Sequence, residues 1–106
     1  MSDPVVTRPA IETGTDTLTR SARPPLYKVL LHNDDFTPRD FVVGVLSAVF
    51  RMPPETARGV MLTAHRRGCS VVAVFTHEIA ETKANQATDL GRREGYPLRF
   101  TTEPET

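Results

Sequence analysis

Proline and glycine cut this chain into short segments, and that division restricts its fold more than any other feature. Pro24-Pro25 closes a polar N-terminal stretch, and Pro53-Pro54 separates two helix-like stretches. Gly68 and Gly95-Tyr96-Pro97 each release the chain into an apolar, strand-like run. No helix runs undisturbed through a proline pair, because each proline lacks an N–H and its ring collides with the preceding turn. The elements between these points must therefore be short.

Leu26-Tyr27-Lys28-Val29-Leu30-Leu31 reads as a strand. Thr37-Pro38 opens a helix, with Thr37 predicted as N-cap, Pro38 at the first helical position and Asp40 in near capping-box spacing. Phe41, Val42, Val45, Leu46 and Val49 recur at helical spacing and predict that helix from about Pro38 to Arg51. A second helix is expected from Pro53-Pro54 to about Arg67, with Ala57, Val60, Met61 and Ala64 on one stripe. Gly68 is its stop, and Arg66 and Arg67 suit its negative end. Val71-Val72-Ala73-Val74-Phe75 is continuously apolar and β-branched, which predicts a central strand. Thr76 then caps a third helix with a stripe of Ile79, Lys83, Ala87 and Leu90, and Leu98-Arg99-Phe100-Thr101 reads as a last strand. The order βααβαβ predicts an α+β domain in which one small sheet is covered by packed helices.

With 106 residues and 39% hydrophobic content, the chain suits one small domain offering a shallow pocket. Thirteen basic and thirteen acidic residues cancel, so no global field recruits nucleic acid or an anionic membrane. Residues 1–24 are polar and hold five threonines between Thr7 and Thr19, so they are expected to form a disordered arm ahead of a domain over 25–106. Asp3, Glu12 and Asp16 and the lack of an apolar run argue against a signal or transit peptide, and no membrane span is expected. Cys69 is the single cysteine, which fits a reducing compartment, with the cytoplasm as the expected location.

Asn33-Asp34-Asp35 concentrates amide and carboxylate acceptors in the turn between the first strand and first helix, where they can form a plain turn or hold a cation. His65 follows Met61 by four residues and can face the same wall with a nitrogen accessible. One alternative gathers His32, Asp34, Asp35 and His65 as a metal site or small hydrolase, although no His-x-x-x-His pair supports it. Cys69, between a glycine and an apolar strand, reads as an inert buried thiol. Arg66-Arg67 and Arg92-Arg93 are too few for a phosphate track, and no glycine-rich phosphate loop is present.

Tyr27-Lys28-Val29, Asn33-Asp34-Asp35-Phe36-Thr37-Pro38, Met61-Leu62-Thr63-Ala64-His65, Val74-Phe75-Thr76, Ala80-Glu81-Thr82-Lys83 and Pro97-Leu98 together resemble the ClpS family, in register and in order over about residues 25–102. These are bacterial adaptors that hand N-end-rule substrates to the Clp AAA+ unfoldase. The resemblance implies three antiparallel strands with three helices, no catalysis, and neither cofactor nor metal. It implies that Asn33, Asp35 and His65, with the Asp34 backbone adjoining, bind the α-ammonium of a substrate's first residue. Leu31, Thr37, Val42, Met61, Ala64 and Leu98 would line the side-chain pocket, with Arg39 at its rim. Glu78 and Lys83 would dock the N-terminal domain of the unfoldase ClpA, whereas spacing alone puts them about 140° apart on a helix. The family commonly carries methionine at 39, valine at 64 and an aliphatic residue at 32. Arg39, Ala64 and His32 depart from it, and the Arg39 stem is expected to cover the rim while its guanidinium reaches an aromatic face or an acidic second residue.

Overall fold

The computed structural model describes residues 23–106, so the arm expected over 1–24 lies, but for its last two residues, outside the described residues. Strand β1 spans Leu26–His32, helix α1 Arg39–Phe50, helix α2 Pro54–Arg67, strand β2 Cys69–Thr76, helix α3 His77–Arg93 and strand β3 Arg99–Pro104. This is the βααβαβ order expected of the sequence. The strands form one antiparallel sheet in the order β2-β1-β3.

Local chemistry accounts for the helix ends. At α1, Pro38 is extended (φ −61°, ψ 141°) and its carbonyl accepts the first helical bond from the Val42 N–H at 3.1 Å. Pro38 is therefore the N-cap, one residue later than expected for Thr37, and no side chain caps the helix. Thr37 is unavailable because its N–H and hydroxyl both bind Asp34. Thr76 does hold the N-cap position of α3, again without a side-chain cap bond. At α2, Pro54 occupies the first turn, and Gly68 ends the helix in the left-handed region (φ 95°) while donating its N–H to the Ala64 carbonyl at 2.8 Å.

Helix α2 packs on β2, α3 packs across all three strands, and α1 lies against α2 and α3. Their facing residues make one core that runs from Val29 and Leu31 through Val42, Val45, Leu46 and Val49 to Ala57, Met61, Ala64, Val72, Leu98 and Phe100. Leu46 and Val29 are fully buried, and truncating Leu46 to Ala would cost about 2–5 kcal/mol.

Three expectations are corrected. The run Val71–Phe75 belongs to an edge strand, and the central strand is β1. Val71 and Val74 are exposed on β2 while Ser70 and Val72 are buried, so one face of this strand is open to solvent. An apolar run reports hydrophobicity, not the number of neighbouring strands. The buried stripe of α3 is Ala80, Ala84, Ala87 and Gly91, and Ile79 points outward at 48% exposure. Small residues let this helix approach the sheet closely, and a reading weighted toward large side chains misplaces the stripe. Cys69 is exposed, because it opens β2 on the outward side of the alternation.

Candidate functional site

The loop Asn33–Pro38 leaves the end of the central strand, and the Asn33 N–H extends the sheet ladder to the Gly68 carbonyl at 2.9 Å. One carboxylate organises the loop. Asp34 Oδ1 accepts the Phe36 and Thr37 N–H groups at 2.8 and 2.7 Å, and Oδ2 accepts the Thr37 hydroxyl at 2.9 Å. This turn consumes the Asp34 side chain and leaves Asn33 and Asp35 exposed on the loop.

The loop forms one side of a cavity of about 350 Å³. Leu31 from β1, Val42 from α1, Met61 and Ala64 from α2, and Leu98 before β3 supply an apolar wall, each at most 8% exposed. Asn33, Asp35, Arg39 and His65 line the same cavity from exposed positions, and the buried Thr37 lies between loop and wall. All eleven residues expected at the site thus share one cavity with a greasy interior and a polar, net acidic loop on its rim. Such a shape has room and matching chemistry for a bulky apolar group attached to a cation. Phe36, Pro38 and His32 line it too. Phe36 and Pro38 escaped the pocket reading although they stand inside the same motif, because an aromatic followed by Thr-Pro reads as helix entry.

Two contacts could not be read from spacing. The Arg39 guanidinium donates from Nη2 to His65 Nε2 at 3.0 Å. Arginine has no acceptor, so this geometry requires an unprotonated Nε2. His32 shares a hydrogen bond with the Thr101 hydroxyl at 2.6 Å through Nε2. Burial, then the Arg99 guanidinium, push the His32 imidazole below its ordinary value, and Glu103 acts in the opposite direction. The metal arrangement of His32, Asp34, Asp35 and His65 finds no support. Among the described residues no three His, Cys, Asp or Glu side chains are grouped to hold an ion, while Asp34 is spent on its turn and His32 on Thr101.

Glu78 and Lys83 stand apart from the cavity on α3. Glu78 is exposed in the first turn, whereas Lys83 is half-buried and donates to the Val49 carbonyl in the last turn of α1 at 3.0 Å. No helix among the described residues is long and apolar enough to cross a membrane.

Residues 22–101 match the family model for the ATP-dependent Clp protease adaptor protein ClpS. The chain is 62% identical over 86 residues to the ATP-dependent Clp protease adapter protein ClpS 2 of Mesorhizobium japonicum, covering 81% of this chain and 85% of that one. It is 65% identical over 83 residues to ClpS 1 of Rhodopseudomonas palustris, covering 78% and 81%. Among solved structures, Agrobacterium tumefaciens ClpS2 bound to L-phenylalaninamide superposes with a TM-score of 0.77 at 65% identity, over 78% of this chain and all of that one.

Proposed function

The chain belongs to the ClpS family of Clp protease adaptors, and from that premise we propose that its cavity receives the first residue of another protein. In this reading Asn33, Asp35 and His65 accept hydrogen bonds from the α-ammonium, with the Asp34 backbone adjoining and the Asp34 carboxylate holding the loop in shape. Leu31, Thr37, Val42, Met61, Ala64 and Leu98 surround the side chain, with Arg39 at the rim. The carrying observation is the joining of exposed amide, carboxylate and imidazole acceptors to a buried apolar wall in one cavity. L-phenylalaninamide, the ligand of the Agrobacterium relative, has the matching chemistry: a free amine beside a benzyl group.

The physical basis is an asymmetry between a chain terminus and its interior. A terminal ammonium has three N–H donors and a positive charge, and each hydrogen bond to a charged group contributes about 1.5–3 kcal/mol. An internal peptide nitrogen has one donor and no charge. Burying a Phe or Leu side chain adds roughly 1.5–3 kcal/mol, and association entropy offsets much of the sum, so a Kd near the micromolar range, about −8 kcal/mol, is expected. The protein is then a non-enzymatic, cytoplasmic adaptor. It binds bulky hydrophobic N-terminal residues (Phe, Tyr, Trp, Leu) and delivers them to the unfoldase ClpA, docking the ClpA N-terminal domain through Glu78 and Lys83.

The test is fluorescence titration of a Phe-peptide and its N-acetylated form. Acetylation should abolish binding, and Asp35→Ala should cost at least about 1.5 kcal/mol while circular dichroism shows an unchanged fold. Equal binding of the acetylated peptide would sink the reading.

A further inference from the structure

His65 Nε2 has one lone pair, and in this structure Arg39 occupies it at 3.0 Å. An incoming ammonium that needs the same lone pair cannot share it with the guanidinium. Both side chains are exposed and both line the cavity, so the guanidinium is free to leave without disturbing the core. Its destination is restricted by where it is anchored. Arg39 is the first residue of α1 at the rim, while the apolar wall lies deeper, so a chain whose first side chain fills the cavity must run its second residue out across that rim. Apart from Arg39 and the two histidines, the ionisable groups that line the cavity are acidic, namely Asp34 and Asp35, and of these Asp34 is engaged in its turn. An acidic second residue meets repulsion there unless a cation stands beside it.

We infer that Arg39 is a specificity residue with two positions: it competes for His65 in the empty site, and when a bound chain displaces it, it pairs with an acidic second residue of that chain. This inference rests on the N-terminal-residue function proposed for the cavity. Each position has its own consequence. The first weakens binding of every ligand equally. The second restores affinity only to chains with Asp or Glu behind the first residue. The device therefore sharpens discrimination between substrates at some expense in affinity.

The test compares peptides beginning Phe-Glu and Phe-Gln, identical thereafter, against the wild-type protein and Arg39→Met, which keeps an unbranched stem and removes the guanidinium. Wild type should bind Phe-Glu about two- to fivefold more tightly than Phe-Gln, the range of an exposed ion pair. That preference should shrink in roughly 0.5 M salt, as screening requires. Arg39→Met should lose the preference while binding Phe-Gln more tightly than wild type. The inference is overturned if the Phe-Glu to Phe-Gln ratio is the same in both proteins, or if Arg39→Met weakens Phe-Gln binding. Failure of the underlying function has a different signature, because N-acetylated Phe-Gln would then bind wild type as well as the free-amine peptide does.

Discussion

A Cβ added to Gly91 would lie 2.7 Å from the Leu98 Cβ, so α3 passes this cavity-lining leucine at a separation that only glycine permits. Ala in a helix interior is intrinsically better than Gly by about 1 kcal/mol. Here the atom in the way is attached to the backbone and cannot swing aside, and overpacking typically costs about 1–3 kcal/mol. Gly91→Ala is therefore expected to lower stability in urea denaturation and to weaken Phe-peptide binding together, because Leu98 must move to relieve the clash. A more stable variant would show that the strand start yields without cost.

Ala64 lies in the apolar wall at 2% exposure. Valine there would add two carbons, worth up to roughly 1.6 kcal/mol where a ligand fills the contact, at about 0.8 kcal/mol per buried CH₂. The larger space left by alanine favours aromatic side chains. Phe, Tyr or Trp peptides should bind wild type more tightly than Leu peptides, and Ala64→Val should narrow the gap. A peptide series differing only in its first residue decides this, and tighter Leu binding by wild type would refute it.

The three hydrogen bonds accepted by Asp34 make a separate forecast. Asp34→Ala leaves the Phe36 and Thr37 N–H groups without their acceptor and should cost about 1–3 kcal/mol of stability. Asp34→Asn retains one carbonyl oxygen for both N–H groups and should lose well under half as much. Peptide affinity should follow the same order, since the turn presents Asn33 and Asp35. Thermal denaturation and titration of both variants test it; equal losses would mean that charge, not loop geometry, dominates.

Lys83 binds the last turn of α1 through the Val49 carbonyl, so a substitution there alters stability as well as the docking proposed for it. Lys83→Ala should lower stability by about 0.5–1.5 kcal/mol through the lost bond, with a further loss from its half-buried stem. Lys83→Met keeps the stem and should lose less. Glu78, exposed and unpaired among the described ion pairs, should leave stability within about 0.5 kcal/mol when changed to Gln. Binding of either lysine variant to the ClpA N-terminal domain should therefore be compared with its unfolding curve, and a loss of docking by fully folded Glu78→Gln is the cleaner signal.

Burial and Arg99 hold the His32 imidazole below its ordinary value, with Glu103 opposing. The unfolded chain thus takes up a proton on this residue before the folded chain does, and stability rises with pH across that interval. The contribution is fully present above the ordinary histidine value of 6.5 and is lost as the pH falls through the lower folded value. The Tm should drop on acidification from about pH 7.5 to about pH 5, and His32→Leu should reduce the drop. An identical acid limb in the variant would assign it to other groups.

Element order and helix stops were legible in the sequence because they depend on near neighbours, whereas the cavity-lining residues, which come from β1, α1, α2 and the approach to β3, were expected only through the resemblance to the ClpS family. Pro53-Pro54 and Gly68 act through their own φ angles, and the acceptors of Asn33-Asp34-Asp35 are gathered by a single turn. What only the tertiary structure decided involves distance in sequence. Whether the apolar run of β2 sits at the centre or the edge depends on which strands flank it, and that is set by how β1 pairs on both sides. The buried face of α3 depends on how closely it approaches Leu98, which turns Gly91 and three alanines into the contact stripe in place of Ile79. Arg39 and His65 are 26 residues apart on two helices. Their hydrogen bond exists because α1 and α2 bring one helix start and one helix end to the same rim, a relationship that packing creates and no local pattern encodes.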